Sequence, residues 1–229
     1  YPSPNPEMST WVARDVTGYV MGYYDGDYQS IGTNNFIASI STGNLNTAIR
    51  SLYNGNIAYT TNAITGFLDQ ASVYKYDQLQ RLKEMKVYRS TSTLTQNNNW
   101  NDAALVPDYF NSYSYDSNGN LEKLRRDGVS GPNLSMDDFT YKYALNSNRL
   151  VYVEDPISSA NHTVDIANQS GVANQPIGSS QVSNNYQYDK LGQLIKDVSE
   201  NNMTMQWRLG DKKLKLQSNT NKQVEFVYN

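Results

Sequence analysis

Catalysis needs groups that exchange protons or electron pairs, and in this chain such groups are few and scattered. The single histidine, His162, lies in the polar run 158–164. A general base needs a positioned nucleophile and an orienting partner, and neither stands near it, so His162 is expected to face solvent. There is no cysteine, which excludes disulfides and thiolate metal sites. One histidine would leave zinc with carboxylates alone. No catalytic residue, metal site or cofactor site is therefore assigned. The densest acidic groups are Asp25-Gly26-Asp27 and Asp137-Asp138. Facing carboxylates hydrolyse glycosides and oxygen-rich loops take calcium. Neither cluster has the later bidentate Glu of a calcium loop, and both are expected to serve turns. A glycosidase built on such acidic loops is kept as the enzymatic alternative. The remaining chemistry is aromatic. Sugars stack on exposed Tyr and Trp faces, and Tyr19, Tyr23, Tyr24, Tyr28, Trp11 and Trp100 lie outside the repeat described next. Of these, Tyr23, Tyr24 and Trp100 are the candidate ligand surface.

The elements that carry these residues follow from composition. The chain has 229 residues, with 19 Tyr against 5 Phe and 3 Trp, and only 18% charged residues. Its mean hydropathy of −0.68 is low, yet 12% aromatic content is too high for ordinary disorder. Tyr-rich runs alternating with Asn, Gly and Ser describe short strands joined by tight turns. A net charge of −3 and the lack of a basic stripe argue against nucleic acid as a partner. No apolar run is long enough to span a membrane as a helix.

An internal repeat organises the rest. Residues 74–82, 113–121 and 186–194 each read Tyr-x-Tyr-Asp, with a Leu six positions after the second Tyr. The marked positions are Tyr74, Tyr76, Asp77 and Leu82; Tyr113, Tyr115, Asp116, Gly119 and Leu121; and Tyr186, Tyr188, Asp189, Gly192 and Leu194. A fourth copy, with Tyr141, Tyr143 and Leu150, has Ala144 in place of the Asp and one extra loop residue. Weaker copies stand at 203–207 with Leu214, and at 226–229. Tyr-x-Tyr puts two rings on one face of a strand. The Asp ends the strand by accepting bonds from turn amides. A following Gly tolerates positive φ, and the Leu opens the return strand. Each repeat is thus one β-hairpin, marginal alone and stabilised by docking beside the next. Tyrosines of successive copies are expected to form a ladder at about 4.8 Å spacing.

At these residues the sequence closely resembles the RHS/YD-repeat family, over roughly residues 50–229. Residues 52–57, 140–143 and 148–150 lend further support. Members are long, mostly bacterial chains, with teneurins as animal relatives. The resemblance implies a spiral of hairpins forming a shell, which in polymorphic toxins encloses a toxic C-terminal segment. The family's self-cleaving core has no counterpart in these residues, so the resemblance carries architecture and no catalysis.

The expectation is an all-β chain of tandem antiparallel hairpins set side by side in an open, curved sheet. Residues 1–50 form an aromatic, strand-rich segment, either a cap or degenerate repeats, and residues 51–229 form the array, cut within its last repeat. Strand-like runs are expected at 17–24, 36–40 and 51–60, and one short helix over 42–52. Residues 91–108 and 156–184 are insertions, the latter expected to be a long surface loop or a poorly ordered one. The function expected is a non-enzymatic structural segment of a secreted or cell-surface protein, whose partner is the remainder of its own polypeptide. A surface module binding glycans or cell-surface proteins is the alternative.

Overall fold

A computed structural model describes residues 17–24, 26–27, 44–64, 66–90, 103–158, 160, 166, 168–169, 185–208, 214–218 and 222–228. Among these the strands are β1 (Thr17–Gly22), β2 (Tyr59–Ile64), β3 (Gln70–Tyr76), β4 (Leu82–Arg89), β5 (Ala104–Tyr115), β6 (Leu121–Asp127), β7 (Ser135–Tyr143) and β8 (Leu150–Glu154). They continue with β9 (Tyr186–Tyr188), β10 (Leu194–Asp197), β11 (Met203–Trp207), β12 (Leu214–Ser218) and β13 (Gln223–Glu225). The helix α1 covers Asn44–Ala48. The chain is all-β. Strands β1 to β8 form one open antiparallel sheet in sequential order, and β9 to β13 form a second in the same manner. Pairing only with chain neighbours is what tandem hairpins produce. The chain divides into two compact units, Tyr1–Phe110 and Asn111–Asn229, the boundary falling within β5.

In the first unit, β1 pairs with β2 in unbroken register from Thr17↔Ile64 to Gly22↔Tyr59. A strand from residues 1–50 therefore joins the sheet. Gly22 permits the pairing, since a Cβ there would run into the ring of Tyr59. Helix α1 sits inside the window expected for it. It brings Leu45 into a cluster with Ala58, Tyr59, Ala71, Val73 and Ala103, against which Ile49, Leu52 and Tyr88 pack. Of the run 51–60, only its end is strand. The positive φ of Gly55 (84°) turns the chain, and Leu52 and Ala58 instead donate backbone bonds to the carbonyls of Tyr23 and Gly22, at 2.7 and 2.9 Å. The insertion expected over 91–108 is shorter than that, because Ala104 onward belongs to β5. Pro107 obscures this strand in the sequence, since proline interrupts a ladder. Tyr109, at φ 57°, breaks its regularity. The strand-like run 36–40 lies outside the described residues.

In the second unit the tyrosine ladder takes a different form from the one expected. Tyr113 stands opposite Leu124, Tyr141 opposite Val153, and Tyr186 opposite Asp197. Successive tyrosines belong to outgoing strands separated by a return strand, and the row through Tyr113 and Leu124 continues to Phe139, two residues short of Tyr141. Phe139 and Tyr141, on one face of β7, meet edge to face at 6.1 Å.

Candidate functional site: the tyrosine-aspartate hairpin turn

The three full copies of the repeat fold into one local structure. In the first, the amide of Gln80 donates to the carbonyl of Asp77 at 3.0 Å, and the amide of Asp77 donates to the carbonyl of Arg81 at 2.9 Å. The same pair of bonds closes Asp116 to Asn120 and Asp189 to Gln193. The last of the three loop residues is left-handed each time: Gln80 at 63°, Gly119 at 90° and Gly192 at 83°. This is a three-residue hairpin loop, a type I turn followed by a left-handed bulge residue. The aspartate side chain organises it. Asp77 Oδ1 accepts from the amides of Leu79 and Arg81, both at 2.9 Å. Asp189 Oδ1 accepts from Leu191 and Gln193, both at 2.8 Å. Asp116 Oδ1 accepts from Asn120 at 2.8 Å. The Arg81 amide, with help from the Arg81 guanidinium, holds the Asp77 carboxyl below its ordinary value. The Asn120 side-chain amide does the same at Asp116. The fourth copy, without the Asp, closes one residue later through Ala144 and Arg149, with Asn146 left-handed at 57°.

Just before each turn the register slips by one residue, so that Tyr76 pairs with Leu82, Tyr115 with Leu121, and Tyr143 with Leu150. Trp207 and Leu214 make the same pair at the same kind of irregularity. Bulges re-aim side chains, and the consequence is a bond to the preceding hairpin. The Tyr143 hydroxyl donates to the Leu121 carbonyl at 2.8 Å, and Tyr188 to the Leu150 carbonyl at 3.0 Å. The Trp207 indole N–H donates to Leu194 at 2.7 Å, and Tyr228 to Leu214 at 2.8 Å. In the first unit Tyr76 donates to Ile57 at 3.0 Å. The weak copies at 203–207 and 226–229 thus keep the feature that joins neighbours, with Trp207 in the tyrosine's place. Burial pushes the Tyr76, Tyr143 and Tyr188 hydroxyls above their ordinary value of 10.0.

The far ends of the strands hold a second set of polar groups that the motif does not announce. Asp108, Asp127, Asp137, Asp155 and Asp197 are all buried. Arg89 donates to Asp108 at 3.0 Å, Arg125 reaches both oxygens of Asp127 at 3.0 and 3.1 Å, and Arg126 pairs with Asp137. Asp155 accepts from the amides of Asp138 and Ile157, and Asp197 from the side chain of buried Asn185 at 3.0 Å. A faint signal exists: Asp69 and Asp108 each stand seven residues ahead of the second Tyr of their repeat. Within the loop expected over 156–184, whose other described residues are exposed or half-buried, Gln169 is the exception, for it is buried. Its backbone and side chain pair with both the amide and the carbonyl of Val153, at 2.9 and 3.0 Å. Its side-chain amide then donates to the Tyr186 hydroxyl at 3.0 Å and to Ser199 at 3.2 Å. One glutamine bridges the edge of the first sheet to the second, on the side of β8 that pairs with no strand among the described residues.

Asp137 and Asp138 do not converge. Alternation sends Asp137 into its ion pair with Arg126 and leaves Asp138 exposed. Asp27 caps a turn, its carboxylate accepting from the Tyr23 amide at 2.6 Å. Among the described residues no three His, Asp or Glu side chains group as metal ligands would. Of the candidate ligand surface, Tyr24 stacks on Tyr53 with ring centres 4.8 Å apart, and Tyr53 is 77% exposed. Tyr23 beside it turns its hydroxyl to Met21. Trp100, Trp11, Tyr28, Asp25 and His162 lie outside the described residues. A comparison with protein-family models and with curated proteins finds no match to this chain.

Proposed function

We propose that this chain is a non-catalytic length of hairpin wall of the RHS/YD type, belonging to a secreted or cell-surface protein, that encloses or presents a C-terminal toxin or effector domain. The observation that carries this reading is the aromatic donor reaching the preceding hairpin's carbonyl, repeated at Tyr76, Tyr143, Tyr188, Trp207 and Tyr228. Each such bond joins one hairpin to its predecessor. A chain built this way can be extended hairpin by hairpin. The test is protease protection of the segment that follows these residues in the full-length protein. Enclosure predicts slow digestion that becomes fast when Tyr143→Phe and Tyr188→Phe are combined. Digestion as fast as that of the separated segment overturns the reading. So does turnover of a glycoside that one carboxylate substitution abolishes.

A glycan-binding surface is the second reading, favoured by the exposed Tyr24–Tyr53 stack. A glycan array read with Tyr53→Ala and Tyr24→Ala tests it. Sugar binding indifferent to both substitutions removes the aromatic platform.

A further inference from the structure

One face of the first unit changes character along two strands. Val73 lies in the apolar cluster, and Lys75, two positions on, shares its face. Directly opposite Lys75 stands Glu84, followed on the same face by Lys86 and Tyr88. These side chains, with Thr47 and Arg50 from the helix α1 region, line a cleft of about 140 Å³.

The charges in this cleft are arranged. Glu84 Oε1 receives the Lys75 ammonium at 2.9 Å and the Lys86 ammonium at 3.0 Å. A single carboxylate oxygen therefore gathers both ammonium groups to within about 6 Å of one another. Each ammonium has three N–H donors, more than an ion pair with one carboxylate oxygen can engage. Burial works to raise the Glu84 carboxyl, but the bonds from Lys75 and Lys86 outweigh it and hold the group below its ordinary value, so it stays ionised. Arg50 adds a forked guanidinium and makes no hydrogen bond or ion pair with any described residue. Three cations face one carboxylate, in a chain whose net charge is −3. The excess is thus local, and free donors converge on it. Pockets for whole organic ligands run to several hundred Å³. This volume suits one oxyanion group with a few waters.

We propose that this cleft binds a single oxyanion group, with Arg50, Lys75 and Lys86 as its cationic ligands and Glu84 as the residue that positions the two lysines. Isothermal titration of the full chain with sodium phosphate, sodium sulfate and sodium acetate, at one ionic strength set with sodium chloride, tests it. The expected result is saturable binding at one site per chain. Preference for phosphate or sulfate identifies a phosphoryl or sulfuryl group as the natural ligand, and preference for acetate a carboxylate. Arg50→Ala, at an exposed position, weakens binding roughly tenfold, the scale of one charge-assisted hydrogen bond. Lys86→Met does the same independently, with an unchanged β-type circular dichroism spectrum. Absence of saturable heat above the chloride background overturns the proposal, as does binding that survives both substitutions at full strength.

Discussion

In the first unit seven apolar side chains are buried among the described residues, beside Thr60, Thr61, Asp69, Ser90 and Asp108. Leu45, Ala58, Tyr59, Ala71, Val73 and Ala103 close on one another beneath a helix. In the second unit Phe139, Val151 and Val153 are the buried apolar side chains, and they share the interior with Asp127, Asp137, Asp155, Gln169, Asn185 and Asp197. The same hairpin therefore stands on two different foundations. Where a helix covers one face of the sheet, apolar burial does the work in the ordinary way. In the second unit buried polar side chains outnumber apolar ones among the described residues. There the hairpins lean further on the directed bonds that Tyr76 and Asp108 also make in the first: aromatic donors to neighbouring carbonyls near the turns, and buried carboxylates with arginine or amide partners at the far ends. Directed bonds fix register more sharply than apolar contact does. They also leave unsatisfied groups behind when one partner is lost.

The sharpest way to break the contrast is to remove the apolar support. Leu45→Ala should cost about 3 kcal/mol, and hydrogen exchange should show lost protection over β2 to β4 while β6 to β8 keep theirs. Equal loss in both regions would mean that the apolar cluster supports the second unit too. The matching change in the second unit is Arg126→Met, which strands the buried Asp137 carboxylate, 1% exposed. It should cost roughly 3 kcal/mol, measured as a shift in urea midpoint, with exchange rising over β6 and β7. A neutral result would show that Asp137 finds another partner or takes up a proton.

Alkali should separate the two units next. Burial raises Tyr141, Tyr143, Tyr152, Tyr186 and Tyr188 in the second unit above 10.0, but only Tyr76 among the described residues of the first. A hydroxyl raised in the folded state contributes stability that is intact below pH 10 and is lost as pH rises through the folded value. The second unit should therefore melt first above pH 10, its loss of β signal tracking the growth of tyrosinate absorbance. Simultaneous melting of both units would contradict this. Deleting single hydroxyls is a smaller perturbation. Tyr143→Phe and Tyr188→Phe should each cost about 1 kcal/mol by chemical denaturation, leaving the Leu121 and Leu150 carbonyls without their donors. The smallest effect is expected at Gln80, which is left-handed where the other two full copies have glycine. Gln80→Gly should stabilise by about 0.5 kcal/mol, the relief of left-handed strain less the added freedom of the unfolded chain, read as a small rise in melting temperature.

Much of the hairpin could be read from spacing, because its determinants are local. Asp77, Asp116 and Asp189 act within four residues of themselves, and Gly119 and Gly192 answer to backbone φ at their own positions. Strand, turn and return strand follow from that short range, as does the all-β class. The bridging bonds were half legible: the copies at 203–207 and 226–229 were visible as weak repeats, while the carbonyl that each aromatic reaches was not.

Local chemistry alone, then, made the repeat: alternation, a strand-ending Asp, and a residue tolerant of positive φ. Which residues lie inside was settled in three dimensions. Gln169 looks like loop and is buried because β8 offers it an unpaired amide and carbonyl. Asp137 looks like a surface charge and is buried where the neighbouring strand β6 places Arg126 beside it. The reason is that burial is a property of what comes to lie alongside a residue, and residues far apart in the chain supply it.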